Sequence, residues 1–129
     1  MGFSIFDETD VVLRFGEWNG PGGTAQITLI PDMYKRYRVD AMACRNPDSV
    51  DHTIRFLIGQ AGDSTTLGEV VVPAGSGVGS VAPVDCLAQF IHAPMDAIVI
   101  PTHGLFNAIL LDAIVGTVEV DLTVTFGVV

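Results

Sequence analysis

The amino-acid sequence predicts an all-β fold, an antiparallel β-sandwich of about eight strands with a jelly-roll-like arrangement. Glycine, with 14 residues, and proline, with 7, divide the 129-residue chain at short intervals. The segments between them are rich in Val, Ile, Thr, Leu and Phe, which favour strands. One segment near the C-terminal end, residues 116–126, alternates apolar and polar side chains without a break. Such alternation is typical of a strand buried on one face only.

Four strands are predicted in the first half of the chain. They cover residues 10–15, 24–30, 37–44 and 53–58. The third is expected to turn Tyr37, Val39, Ala41 and Ala43 toward the core and Arg38 and Asp40 toward solvent. The third and fourth are expected to pair with each other, because the polar segment 45–49 between them has the composition of a turn.

Four more strands are predicted in the second half, over residues 68–72, 96–100, 105–114 and 116–126. Residues 105–114 also suit a buried helix of three turns, but the glycines that bracket them favour a strand. Residues 83–91 fit either a helical turn or a strand. The last strand should bury Val118, Val120, Leu122, Val124 and Phe126, and expose Thr117, Glu119, Asp121, Thr123 and Thr125.

The length of the chain predicts one domain, since 13.7 kDa leaves no room for a second core of useful size. Residues 11–129 are assigned to this sandwich and residues 1–10 to an N-terminal arm. The start of the chain lacks the basic and long apolar regions of a secretory signal, so folding in a cytoplasm is expected. In a reducing compartment, Cys44 and Cys86 are expected to be free, buried thiols.

Composition excludes several classes of protein. Hydrophobic residues make up 49% and charged residues 16%, which is the opposite of a disordered chain. No apolar run approaches the roughly 18 residues of a membrane-spanning helix. The net charge of −9 has the wrong sign for holding nucleic-acid phosphates. We therefore expect no membrane and no nucleic acid as a partner.

The sequence carries no catalytic signature, so we assign no catalytic, cofactor-binding or metal-binding residues. His52, His92 and His103 lack the spacing of a metal site. The Gly-rich segment 74–80 lacks the spacing of a phosphate-binding loop and is interpreted as a flexible connection. The acidic pair Glu119 and Asp121 is expected to be solvated on the outward face of the last strand.

Charge is distributed unevenly along the sequence. All six basic residues lie at or before Arg55, and the chain after it carries seven acids and no base. This asymmetry can be neutralised within one chain, or it can orient a basic edge of one subunit against an acidic face of the next. Lys35, Arg36 and Arg38 are accordingly interface candidates, whereas ordinary solvated strand faces with weak ion pairs are the simpler interpretation.

The second half of the chain resembles the small β-sandwich virion proteins of tailed bacteriophages, such as capsid decoration, cement and head or tail accessory proteins. The resemblance covers residues 53–129. It rests on the strand and turn Gly-Glu-Val-Val-Val-Pro-Ala-Gly-Ser-Gly at 68–77, Ala-Pro-Val-Asp at 82–85, Ala-Ile-Val-Ile-Pro at 97–101 and the final strand. It implies a subunit without an active site that forms a homo-oligomer such as a trimer. The expected partner is the major capsid protein or another virion protein. The expected location is the virion, and the chain would be made in the host cytoplasm.

Apolar residues provide the expected contacts for such an assembly. About half of a short chain is apolar, which is more than one small core conveniently hides. Phe3, Ile5 and Phe6 of the N-terminal arm either dock on a neighbouring subunit or pack on their own domain. Trp18 stands before the Gly-rich stretch 20–23 and either caps one end of the sandwich or offers an aromatic surface to a glycan. The alternative function is therefore a carbohydrate- or receptor-binding module.

Overall fold

Two antiparallel β-sheets account for most of the chain. The computed structural model describes residues 11–20, 26–29, 36–60, 63–89, 98–100 and 104–128. Within these ranges the helical structure is a single 3-10 turn, Leu87–Gln89, and no helix is long and apolar enough to cross a membrane. The predicted all-β class and the antiparallel sandwich are confirmed.

The described residues form nine strands, of which one has only two residues. They are β1 (Val11–Asn19), β2 (Gln26–Leu29), β3 (Tyr37–Arg45), β4 (His52–Gln60), β5 (Asp63–Val72), β6 (Val84–Asp85), β7 (Ile98–Ile100), β8 (Gly104–Leu110) and β9 (Glu119–Val128). Residues 105–110 lie in a strand, as predicted, and the strand ends earlier than expected. Residues 83–91 contain both of the structures left open, β6 and the 3-10 turn.

Among the described strands, neighbours along the chain lie in different sheets, except for β4 with β5 and β6 with β7. The first sheet has the order β1-β9-β3, and β6 and β7 both pair with the remaining edge of β3. The second sheet has the order β2-β8-β4-β5. Because β6 and β7 bind opposite ends of the same edge, each sheet is four strands wide. Only β4 and β5 are consecutive strands that pair with each other.

The core lies between the inward faces of the two sheets. From the first sheet, Val120, Leu122, Val124 and Phe126 are buried, as the alternation of β9 predicts. Val118 precedes the strand and is partly buried against the core. Aromatic rings pair within each sheet, Tyr37 with Phe126 at 4.4 Å and Phe56 with Phe106 at 5.8 Å between ring centroids. Offset aromatic pairs of this kind add stability beyond the area they bury.

A β-bulge corrects the predicted orientation of β3. The register with β9 shifts between Val39 and Ala41, so that Asp40 is an extra residue opposite the partner strand. An extra residue reverses the alternation beyond it. Ala41 is therefore exposed and Ala43 half-buried, although both were predicted inside, whereas Met42 and Cys44 point into the core.

The predicted pairing of β3 with β4 is wrong. Over their described lengths, β3 pairs with β9, β6 and β7, and β4 pairs with β5 and β8. The segment between them, residues 46–51, crosses from one sheet to the other and does not close a hairpin. The physical reason is a buried polar cluster in this segment, which ties it to two other loops.

Candidate functional site

The crossover between β3 and β4 is built around the carboxylate of Asp48. Its Oδ1 accepts hydrogen bonds from the backbone amides of Ser49 at 2.9 Å and Gly116 at 3.0 Å. Its Oδ2 accepts one from the amide of Val115 at 2.9 Å and lies 2.7 Å from Nε2 of His52. Both side chains of the Asp48–His52 pair are buried. The carboxylate thus joins the crossover to the loop before β9.

Hydrogen bonding determines the charge of Asp48. Burial by itself raises the pKa of a carboxyl group, but donation from Val115, His52, Ser49 and Gly116 outweighs it and holds the pKa of Asp48 well below its ordinary value. The group is ionised at neutral pH. Asp48 and His52 have almost no contact with solvent, and their hydrogen bonds hold loops together.

Asn46 extends the same cluster to the Gly-rich segment. Its Nδ2 donates to the carbonyls of Val50 at 3.0 Å and Val72 at 2.9 Å, and its Oδ1 accepts from the amide of Asp48. Its backbone forms a bridge with Ser76. We call Asn46, Asp48 and His52 the crossover cluster.

Residues 74–80, predicted to be a flexible connection, form a series of hydrogen-bonded turns. Gly75, Gly77 and Gly79 adopt φ angles of 84°, 77° and 61°, which glycine tolerates best. The amides of Gly75, Ser76, Gly77 and Val78 all donate to backbone carbonyls. These four amides are therefore not available to bind an anion.

A second polar site lies on the outward face of the first sheet. Arg45 on β3 lies opposite Asp121 on β9, and its Nε and Nη2 are each 2.9 Å from Oδ2 of that carboxylate. Ala43, Pro83 and Thr123 complete the lining of an open pocket of about 360 Å³ beside this ion pair. The side chain of Asp121 is only 9% exposed, so the prediction that it is solvated is wrong.

Two further carboxylates approach Asp121. Glu17 lies opposite it on β1, and Glu119 lies two residues earlier on β9, so that all three share one face. One carboxylate oxygen of each lies within 4.8 Å of the others. Among the described residues, this is the set of oxygen donors that could hold a hard cation such as Ca²⁺ or Mg²⁺. The guanidinium of Arg45 already offsets part of its charge.

The predicted interface residues fall in different places. Phe3, Ile5, Phe6 and Lys35 lie outside the described residues, as do His92 and His103. Arg36 and Arg38 are exposed, and Nε of Arg38 lies 2.6 Å from Oδ1 of Asp40. Trp18 is only 1% exposed and belongs to the core. Its ring is therefore not available as a platform for a glycan.

The two cysteines are free and fully buried, as predicted. A hydrogen bond with Cys86, burial, and the negative charge of Asp121 all raise the pKa of the Cys44 thiol far above its ordinary value. A thiol held in its protonated form is a poor nucleophile and a poor metal ligand. Both thiols belong to the hydrophobic core, Cys44 from β3 and Cys86 directly after β6, and they pack as small apolar side chains.

Sequence reasoning missed the crossover cluster and the pairing of Arg45 with Asp121. A signal for the first was present in Asn46-Pro47-Asp48-Ser49, because Asn and Asp side chains commonly cap turns. Its main partners, Val115 and Gly116, lie 67 and 68 positions away, so only the fold shows them. Comparison with protein-family models finds no family that matches the chain, and comparison with curated proteins finds no match.

Proposed function

We propose that this chain is a non-enzymatic structural protein of a bacteriophage virion, which decorates or cements the capsid or serves as an accessory head or tail component. In this role it binds copies of itself and the major capsid protein or another virion protein. Trimers are the assembly that the resemblance of residues 53–129 implies, and the virion is the implied location.

The observation that carries this proposal is the order of the strands. The order β1-β9-β3-β6/β7 in one sheet and β2-β8-β4-β5 in the other is the order of a jelly roll if β6 and β7 are counted as one interrupted strand. We therefore interpret the sandwich as a jelly roll. This architecture is common to viral capsid proteins and lectins, and it supports an adhesive role in general terms.

The use of the buried polar groups gives further support. Asp48 and His52 have the chemistry of an acid–base pair, but backbone amides and the surrounding core occupy them. Arg45 and Asp121 cross-link two strands of one sheet. Polar groups that are bonded within the chain in this way stiffen the sandwich. A subunit that reinforces a shell requires such stiffness.

The second candidate is a carbohydrate- or receptor-binding module. Burial of Trp18 removes the aromatic surface on which this alternative depended. The pocket beside Arg45 and Asp121 is the observation that still favours it, because it presents hydrogen-bond donors and acceptors in a depression of about 360 Å³. Glycan-array binding that disappears in Thr123→Trp, which fills this pocket, would support the module.

The test of the virion proposal is the composition of purified particles. Particles produced from the genome that encodes this chain are banded on a density gradient and analysed by quantitative mass spectrometry. We expect the 13.7 kDa chain to co-purify with the major capsid protein at a fixed ratio. Particles that contain every other structural protein but not this chain would overturn the proposal.

A further inference from the structure

We infer that the outward face of the second sheet is an interface between two copies of this chain, related by a two-fold axis. This inference deepens the proposed function and rests on it, because it names the surface through which the subunits bind each other. It starts from the contrast between the outward faces of the two sheets.

The outward face of the first sheet is more polar, although it includes Ala41, Ala43 and Val99. It carries the ion pairs Arg45–Asp121 and Arg38–Asp40, and Glu119, Thr123 and Thr125 lie along β9. Such a face is suited to water, as expected where one side of an antiparallel sheet is solvated.

The outward face of the second sheet carries five apolar side chains that do not belong to the core: Leu57, Leu105, Ile109, Leu111 and Val71. We call this set the apolar outer face. Polar residues lie among them, namely Thr53, Thr66 and Asn107 as well as the pair Arg55 and Glu69. Val71 is 57% exposed and Leu111 is 36% exposed. A group of partly exposed apolar side chains on one sheet face indicates a contact with another molecule.

Strand register brings these residues together. Thr53 lies opposite Val71, and the amide of Leu111 donates to the carbonyl of Thr53 at 2.9 Å, which forms one row across three strands. The next outward row contains Ile109, Arg55 and Glu69. On the third row Leu57 lies between Asn107 and Thr66, and Leu105 lies on the fourth row opposite Gly59.

An ion pair within the apolar outer face indicates what covers it. Nη2 of Arg55 lies 2.8 Å from Oε2 of Glu69, and the two side chains are 42% and 45% exposed. Arg55 is the only Lys or Arg on the four strands of this sheet. A two-fold axis that passes between the pair places Arg55 of one copy against Glu69 of the other, and the reverse. The face is thus complementary in charge to itself, as a two-fold contact requires.

A second copy fits these features better than an acidic or a basic partner. Either partner would match one member of the ion pair and oppose the other. The net charge of −9 makes two copies repel each other in most orientations. Attraction of Arg55 on each copy to Glu69 on the other would therefore determine how the two copies align. The surrounding apolar side chains then supply the buried area.

The experiment compares reversed charges on the two sheets by sedimentation velocity and native mass spectrometry. Arg55→Glu makes the ion pair of the second sheet entirely acidic, and Glu69→Arg makes it entirely basic. Arg38→Glu, at an exposed residue of the first sheet, alters the net charge as much as Arg55→Glu does and is the matched control. Val71→Lys tests the apolar contribution at a strand position that is 57% exposed.

We expect the wild-type chain and Arg38→Glu to associate in even numbers at micromolar concentration, as dimers or as two trimers joined across the two-fold contact. Arg55→Glu, Glu69→Arg and Val71→Lys should each raise the dissociation constant about tenfold or more. A mixture of Arg55→Glu and Glu69→Arg should form a heterodimer, because an acidic face then meets a basic one. This rescue cannot arise within one chain, so it distinguishes a contact between copies from a loss of folding.

Three results would overturn the inference. The first is a wild-type monomer at all concentrations tested, and the second is a trimer without two-fold contacts. The third is an assembly that survives the reversals at Arg55 and Glu69 but not the reversal at Arg38. In the last two cases the chain still assembles and the proposed virion role stands, whereas absence from purified particles would refute that role alone.

Discussion

Replacement of Asp48 by alanine is the sharpest test of the crossover cluster. The change removes the acceptor of three backbone amides and of His52. A hydrogen bond to a charged group contributes about 1.5 to 3 kcal/mol, and a buried polar group left without its partner costs about 1 to 3 kcal/mol. Ser49 and Val115 are exposed residues, whereas His52 is fully buried, so the largest share of the cost comes from His52. We therefore expect Asp48→Ala to lose about 3 to 4 kcal/mol of unfolding free energy.

The assay is equilibrium unfolding in urea at fixed protein concentration, because self-association would make stability depend on concentration. Trp18, the only tryptophan, is buried in the core and its fluorescence reports on global unfolding. The matched control is Asp112→Ala, which removes a carboxylate bonded to one amide, that of Thr53, at an exposed site. The control should lose about 1 kcal/mol or less. Equal losses in the two variants would refute the reasoning.

Acid should remove the stabilisation that Asp48 supplies. The pKa of Asp48 in the folded protein is lower than that of an aspartate in an unfolded chain, which is about 4. Between about pH 4 and the pKa of Asp48 in the folded protein, the unfolded state therefore binds more protons than the folded state. Unfolding free energy consequently falls as pH falls through this range, by up to about 1.4 kcal/mol per pH unit. Asp48→Asn has no carboxyl group to protonate at this position, so the difference in unfolding free energy between it and the wild type should narrow from pH 5 to pH 2. A constant gap would contradict an ionised Asp48.

Three further predictions concern the Gly-rich segment 74–80, the ion pair of the first sheet and the buried thiols. A Cβ at Gly77 would lie 2.6 Å from Cγ of Arg45, whereas nothing lies within 4 Å of a Cβ at Gly79. In urea unfolding, Gly77→Ala should therefore lose about 1 kcal/mol more unfolding free energy than Gly79→Ala. Equal losses would contradict this packing. A double-mutant cycle on Arg45→Met and Asp121→Asn should give a coupling free energy of about 1 kcal/mol in unfolding, because one partner is buried. Additive losses would show that the ion pair does not stabilise the fold. The raised pKa of Cys44 predicts that iodoacetamide does not alkylate this thiol in the folded protein at pH 8, whereas both thiols are alkylated in urea. Mass spectrometry measures the alkylation, and rapid labelling without urea would refute the prediction.

Much of the secondary structure could be predicted because strand signals are local. The alternation along β9 depends on neighbouring residues of one segment, and its buried members are those the pattern indicates. The same reasoning gave β8 as a strand and both cysteines as buried. It failed in β3, where the bulge at Asp40 is set by register with β9 and has no counterpart in the composition of the segment.

The sequence by itself determined that this is an all-β sandwich, because apolar residues at period two must bury one face of each sheet. Only the tertiary structure decided which strands pair, as β3 and β4 show by lying in different sheets. It also decided which acids are buried, since Asp48 and Asp121 depend on partners that are 67 and 76 positions distant along the chain. Burial of a charge requires a partner in space, and sequence patterns report only neighbours along the chain.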